Sequence, residues 1–347
     1  MVDRLGTATL KTGEKLEIVR ITSPDAQEAQ AVRNLLTEQP APIPPEFQYL
    51  FQAVKELLAH KSSEWHTHMD AALRGETDAL QTRFYLGVLD GRPVANVLTS
   101  EQHGIGIVSH VFTHPEHRRK GICRAVMAEQ MEDFRGRGGR ALLLGTGFET
   151  PPYWIYYSFG FRSIQGGFMR YTAPGFEGFE EEWFAPRHAT VVNAEWRHWP
   201  LAALLASLPG PERLRSYTWR LFGVGNLEHP YVDFMSRRLK RGDAQGIMLE
   251  AENGAVVGCG TLAADGTWPQ IRILDVFAHR NFTHRYAEMI QALLPQEGRV
   301  IAYVDGDADA KASALEQCGF VREGLLRRHL RLADTSLDVH LYAREGN

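Results

Sequence analysis

The stretch HRRKGICRAVM, residues 117–127, sets Arg118, Arg119 and Lys120 directly before Gly121 and then opens a pattern with helical spacing. A helix N-terminus already carries roughly half a positive charge, so each cation placed there costs on the order of 0.3–1 kcal/mol. Arg124, one turn further on, adds to the crowding. These cations are well placed only beside an anion. Gly121 lets backbone approach such an anion closely, and the first N–H groups of a helix, which lack intrahelical partners, can converge on it.

Composition limits what that anion does. A chain of 347 residues has room for two domains, on a prior of roughly 150 residues each. Its formal net charge of −4 gives no general pull toward nucleic acid or anionic membrane, so neither is expected as a partner and the basic cluster is a local site. Cys123, Cys259 and Cys318 are isolated, without the paired spacing of a disulfide framework or a zinc knuckle. The N-terminal MVDRLGTATLKTGEK has no apolar core of signal-peptide length, and no apolar run is long enough to span a bilayer. A cytoplasmic protein is the expectation, and its oligomeric state is not legible.

The chain resembles itself. DGRPVANVL (90–98) has a counterpart in NGAVVGCGTL (253–262), each reading as a tight turn that launches a strand. VFTH (111–114) recurs as VFAH (276–279), and the Gly160-Phe161 pair recurs as Gly319-Phe320. The three offsets, 163, 165 and 159 residues, agree closely enough to predict one fold used twice. YTAPGFEGFEEEWFAPRHA (171–189) breaks the apolar periodicity, which puts the boundary near residue 180 and gives domains 1–180 and 181–347.

In the first half the pattern predicts a strand at 16–21, a helix from Pro24 to about Leu36, and helices across 46–60 and 63–74. Strands at 82–89, 93–100 and 106–113 follow, then a helix after Gly121 with Cys123, Met127, Met131 and Phe134 on its buried face. A strand at 141–145 and a short helix at 152–158 complete the reading. The class is α+β, a mixed and mostly antiparallel sheet with helices.

The phosphate-loop stretch is neither a Walker loop nor a dinucleotide fingerprint, because the spacing of its glycines fits neither. VFTHPEHRRKGIC resembles the GNAT acyltransferase signature, Arg/Gln-x-x-Gly-x-Gly/Ala after a strand, with Cys123 where the family has Gly or Ala. The family's second landmark, Tyr-x-x-x-Gly-Phe, is matched by Tyr156 to Phe161, at 35 residues from Gly121. The likeness covers about residues 15–173. HRRKGICRA and IYYSFGF are also similar to the first domain of the Eis-type aminoglycoside acetyltransferases, though neither a third domain nor a terminal active-site carboxylate carries over.

The resemblance implies two tandem GNAT-like domains and acetyl-CoA as cosubstrate. Arg118, Arg119, Lys120, Gly121, Ile122, Cys123 and Arg124 would surround its diphosphate, and the backbone of Val111, Phe112 and Thr113 would pair with the pantetheine arm. Tyr156 would protonate the departing thiolate. It can equally be a packing residue of its helix, with Tyr157 next door as the competing tyrosine. His110 and Glu101 are the candidate bases, against a water relay or no base. Strand alternation turns His110 away from Ser109 and Val111, unless a bulge reverses it. His66-Thr67-His68 and His114-Pro115-Glu116-His117 do not read as complete metal sets, so no metal is expected. Phe47, Tyr49, Phe51 and Trp65 read as core.

The expected activity is N-acetylation of a small-molecule primary amine by direct attack, since no Ser or Cys nucleophile with a paired base is evident. The alternative is a module that binds acyl-CoA and transfers nothing. In the second half Tyr286 stands where Gly121 should and Leu315 where Tyr156 should. That half is expected to be degenerate, without acyl-CoA.

Overall fold

A computed structural model of the chain describes residues 1–23, 45–268, 270–332 and 335–346. The helix expected from Pro24 lies outside the described residues. The chain divides into two compact units, Met1–Glu177 and Gly178–Asn347.

In the first unit, five strands follow one another in antiparallel array: β1 (Val2–Thr9), β2 (Lys15–Thr22), β3 (Gln81–Leu89), β4 (Arg92–Gln102) and β5 (Ile105–Thr113). Helices α1 (Pro45–Leu57) and α2 (Ser63–Leu73) come between β2 and β3. Asp90 and Gly91 both take left-handed φ, +47° and +75°, giving the turn whose twist matches the β3–β4 hairpin. The chain then crosses through α3 (Ile122–Gly136) to β6 (Ala141–Gly145), which lies parallel to β5. After α4 (Pro151–Ser158) come β7 (Arg162–Gln165) and β8 (Phe168–Thr172), with β8 between β6 and β7. β1 escapes sequence reading because none of its residues is fully buried, so it leaves no strong alternation.

Each face of this sheet has its own core. Leu50, Phe51, Val54, Leu58 and Met69 pack with Phe84, Leu86 and Leu98. On α3 the buried stripe is Ile122, Val126, Met127, Met131 and Phe134, which joins Leu16, Ile18, Tyr85, Val97 and Val108. Met127, Met131 and Phe134 are buried as expected, Ile122 and Val126 join them, and Cys123 is only partly buried. Gly87 makes the close approach possible, since a Cβ there would stand 3.0 Å from Val126 Cγ2 and 3.1 Å from Ile122 Cγ2. The far end of α3 is anchored by ions. Arg137 bonds Glu101 at 2.5 and 2.9 Å and Asp133 at 3.0 Å, and Asp133 also accepts from Arg20 and Tyr85.

The second unit repeats the plan. Its sheet contains β9 (Ala189–Asn193), β12 (Ala244–Ala251), β13 (Val256–Ala264), β14 (Ile271–Ala278), β15 (Arg299–Asp305), β16 (Val321–Arg331) and β17 (Ser336–Glu345). The one parallel join is β14–β15, and the last strand, β17, sits between β15 and β16. VFTH closes β5 and VFAH closes β14. Gly160 and Gly319 are both left-handed, and the N–H of the following phenylalanine bonds back to Tyr156 or Leu315 at 3.2 and 3.0 Å. The Asn253-Gly254 turn differs from its counterpart, since only Gly254 has positive φ. Among the described residues no helix is long and apolar enough to cross a membrane.

His68 on α2 is fully buried, and burial pushes its imidazole down to about 3. It stays neutral in the fold but protonates in the unfolded chain below about pH 6.5, so its contribution is present above that pH and lost as pH falls. Between pH 7 and 5 the first unit should lose up to about 2 kcal/mol through this histidine. Urea unfolding at the two pH values should show a smaller loss in His68→Met than in the parent; an equal loss contradicts the assignment.

Candidate active site

The β5–β6 join is short. Ile105, Gly106 and Ile107 pair with Ala141, Leu142 and Leu143, whereas β5 continues beside β4 to Thr113. Beyond Ile107 the two strands therefore diverge, and a wedge opens along the β6 side of residues 108–113. The β4–β5 register shifts between Asn96 and Leu98, where His110 takes a left-handed φ of +50° and its carbonyl accepts from Asn96 Nδ2 at 2.9 Å. This is the bulge that the alternation argument left open.

At the wedge mouth the chain makes a turn at Pro115–His117 and enters α3. Arg119 and Gly121 are both left-handed, with φ of +65° and +94°. Among the described residues no side chain caps the helix start, and its first turn holds no acidic residue. The leading amides thus have neither a capping side chain nor a carboxylate, which is the condition for anion binding at a helix N-terminus.

A cavity of about 670 Å³ lies here. Val111, Phe112 and Thr113 form one side, Arg118, Arg119, Gly121, Ile122, Cys123 and Arg124 the loop side, and Tyr156 stands on the helix opposite. Lys11, His117, Pro151, Pro152 and Ile155 complete the lining. Lys11 comes from the β1–β2 turn and was missed because β1 was. The two prolines open α4 at its first positions, where a missing N–H costs nothing.

Among the expected residues three stand apart from this lining. Lys120 Nζ pairs with Glu14 at 3.1 Å. Glu101 is buried in an ion pair with Arg137, with Arg83 at 3.4 Å, and lines a separate polar cavity. His110 is buried edge-on against Trp65, with ring centroids 4.5 Å apart, and its ring nitrogens make no hydrogen bond among the described residues. Burial holds its imidazole well below the ordinary range, hence neutral.

The two tyrosines separate clearly. Tyr156 is 7% exposed and faces the cavity, whereas Tyr157 is 41% exposed beneath Arg162, whose guanidinium lies 4.1 Å from its ring centroid. Burial pushes the Cys123 thiol up to about 11, which leaves it protonated at neutral pH. Arg118 Nε donates to Thr113 O at 3.1 Å, and Arg124 Nη1 to Ser158 Oγ at 3.2 Å, so the cations are held in place by the strand end and by α4. Of the expected core aromatics, Phe51 is buried and Tyr49 is exposed. His114, Glu116 and His117, from the segment whose sequence does not read as a complete metal set, bring one potential ligand atom each within 4.8 Å of one another; His114 and Glu116 are exposed.

The second unit has the same wedge and fills it. β14 pairs with β15 only over Ile271 to Ile273. Asp275, buried just beyond, accepts from Ser216 Oγ at 3.0 Å and from the N–H groups of Tyr217 and Thr218 at 2.8 Å each. From the β15 side Asp305 accepts Arg213 N at 2.8 Å, and Lys311 donates to Leu214 O at 3.1 Å. Residues 213–218 therefore form a strap tied to both strands. At the helix start, Phe282 is buried and Tyr286 begins α8 (Tyr286–Leu293), with no left-handed glycine in the turn.

Residues 85–164 match the family model described as the acetyltransferase (GNAT) domain. The matched residues all lie in the first unit. Similar solved structures include a GNAT-family acetyltransferase from Streptococcus pneumoniae, at 17% identity and TM-score 0.35 over 46% of this chain and 99% of that one. A GNAT-superfamily phosphinothricin acetyltransferase from Sinorhizobium meliloti, in complex with AcCoA, is 13% identical at TM-score 0.35 over 46% and 89%. A variant spermidine N-acetyltransferase from Vibrio cholerae is 14% identical at TM-score 0.33 over 45% and 93%. A search of curated proteins finds no match.

Asp275→Ala should leave two backbone N–H groups and one hydroxyl of the strap without their partner. The expected cost is about 3 kcal/mol, read as earlier urea unfolding of the second unit. Unchanged unfolding contradicts the strap's dependence on this carboxylate.

Proposed function

We propose that the first unit transfers an acetyl group from acetyl-CoA to a primary amine of a small molecule. The observation that carries this reading is the cavity itself, which unites a cationic, uncapped helix start with Tyr156 across the open β5–β6 wedge. Amides of the first α3 turn, with Arg118, Arg119 and Arg124, hold the diphosphate, while Lys120 stays paired with Glu14 at the loop edge. The backbone of Val111 to Thr113, on its β6 side, pairs with the pantetheine amides as an added strand.

The amine nitrogen attacks the thioester carbonyl, a C–N bond forms and the C–S bond breaks. Tyr156 gives its proton to the leaving sulfur and is reprotonated from water. The proton shed by the amine leaves to water, and His110 is the weaker choice of base because it stands outside the cavity lining and burial disfavours its protonated form. Glu101 is the other candidate base, but it is tied up in the ion pair with Arg137 and lines a separate cavity. Cys123 takes no part as a nucleophile, since the thiolate is the reactive form and its raised pKa disfavours it.

The second unit is read as a GNAT-like fold that binds no acyl-CoA, because its wedge is strapped and its helix start lacks the glycine. The duplicated strand ends favour a tandem origin with a boundary close to residue 180. The likeness of the loop and tyrosine segments to Eis-type enzymes, together with the mildly acidic chain, favours a cationic amine as acceptor.

The test uses Tyr156→Phe and an amine panel in a thiol-release assay. The substitution should lower turnover by roughly 10²–10³-fold and leave acetyl-CoA affinity within about twofold. Unchanged turnover removes Tyr156 from the mechanism, and acetyl-CoA binding without turnover on any amine favours the non-catalytic acyl-CoA module.

A further inference from the structure

The strap that fills the second unit's wedge also builds something on its outer side. Tyr217 leaves the strap with its ring stacked on Tyr303 of β15, centroids 4.9 Å apart and planes at 29°. Phe222, at the end of β11 (Leu221–Phe222), stands nearby, and the β16–β17 hairpin supplies Leu330. Together they enclose a cavity of about 590 Å³, within the range of small-molecule sites. Tyr217 is 46% exposed and Phe222 40%, so aromatic surface that would ordinarily be covered stays open on one patch.

The polar part of the lining is cationic. His329 and Arg331 line the cavity, and neither side chain makes a hydrogen bond or an ion pair among the described residues. The carboxylates around the strap and the hairpin accept from backbone N–H groups: Asp275 from Tyr217 and Thr218, Asp305 from Arg213, Asp338 from Arg328 at 2.6 Å, and Asp265, which acts on Tyr303, from Thr267 and Trp268. An apolar slot with aromatic walls and an unpaired guanidinium at its edge complements a flat apolar body carrying one anionic group.

We propose that this cavity is a binding site for an aromatic carboxylate or a similar monoanionic aromatic ligand. The ring lies against the Tyr217–Tyr303 pair, and the anion is held by Arg331, with the His329 imidazole in the same lining. The site is independent of acetyl transfer in the first unit.

The probe is 1-anilinonaphthalene-8-sulfonate, titrated by fluorescence into the intact chain with excess coenzyme A present. One probe per chain should bind, and Tyr217→Ala and Arg331→Met should each weaken it at least tenfold without changing acetyl-CoA affinity or the melting temperature. Tyr217→Ala is tolerable to the fold because Asp275 holds the backbone there and not the ring. Probe binding that neither substitution weakens overturns the site. Equal affinity for neutral N-phenyl-1-naphthylamine overturns the anion's role. A dimer in sedimentation that Tyr217→Ala dissociates shows the patch to be a contact between copies, and also overturns the proposal.

Discussion

A parallel strand pair that lasts only three residues governs the first unit. Ile105 to Ile107 hold β6 against β5, and beyond them the strands part while β5 keeps its other neighbour. Backbone groups buried without partners are costly, so an edge opened inside a sheet is sustained only where something replaces the missing strand. The crossover helix that the parallel join requires begins beside the opening, which brings its amides and the cations of residues 118–124 to the same place. Gly87 lets that helix sit close enough for Ile122 to enter the core at its very first turn.

The second unit answers the same constraint in another way. Its wedge between β14 and β15 is closed by residues 213–218, with Asp275 and Asp305 serving as fixed acceptors for strap N–H groups. One topology thus supports either a cleft or a plugged core, and the choice rests on a few polar residues beside the opening. Among the described residues the strap has no ladder pairing with β14 or β15, and the two carboxylates take up its N–H groups instead.

The fold was legible wherever burial was one-sided and periodic. β3, β4, β5 and the amphipathic α3 follow their residues closely, and the two tyrosines differ as a cavity-facing and a solvent-facing position on one short helix. β1 was hidden by its weak burial, and Lys11 with it. The α3 stripe is as expected at Met127, Met131 and Phe134 and differs only at its first turn, where Ile122 is fully buried beside Gly87 and Cys123 only partly. His110 was undecidable because a bulge resets strand alternation, and bulges follow from pairing between strands that no single segment encodes. The strap was invisible for a similar reason, since 213–218 carries no pattern of its own and takes its place from carboxylates some sixty or ninety residues away.

The account stands on the first wedge being a cofactor cleft and the second a closed one. The most direct measurement is a calorimetric titration of acetyl-CoA into the intact chain and into Gly121→Glu, which puts an acidic side chain on a residue whose φ of +94° already disfavours any side chain. The account predicts one site per chain, abolished by the substitution. Two sites per chain, or binding that survives in Gly121→Glu, contradicts it.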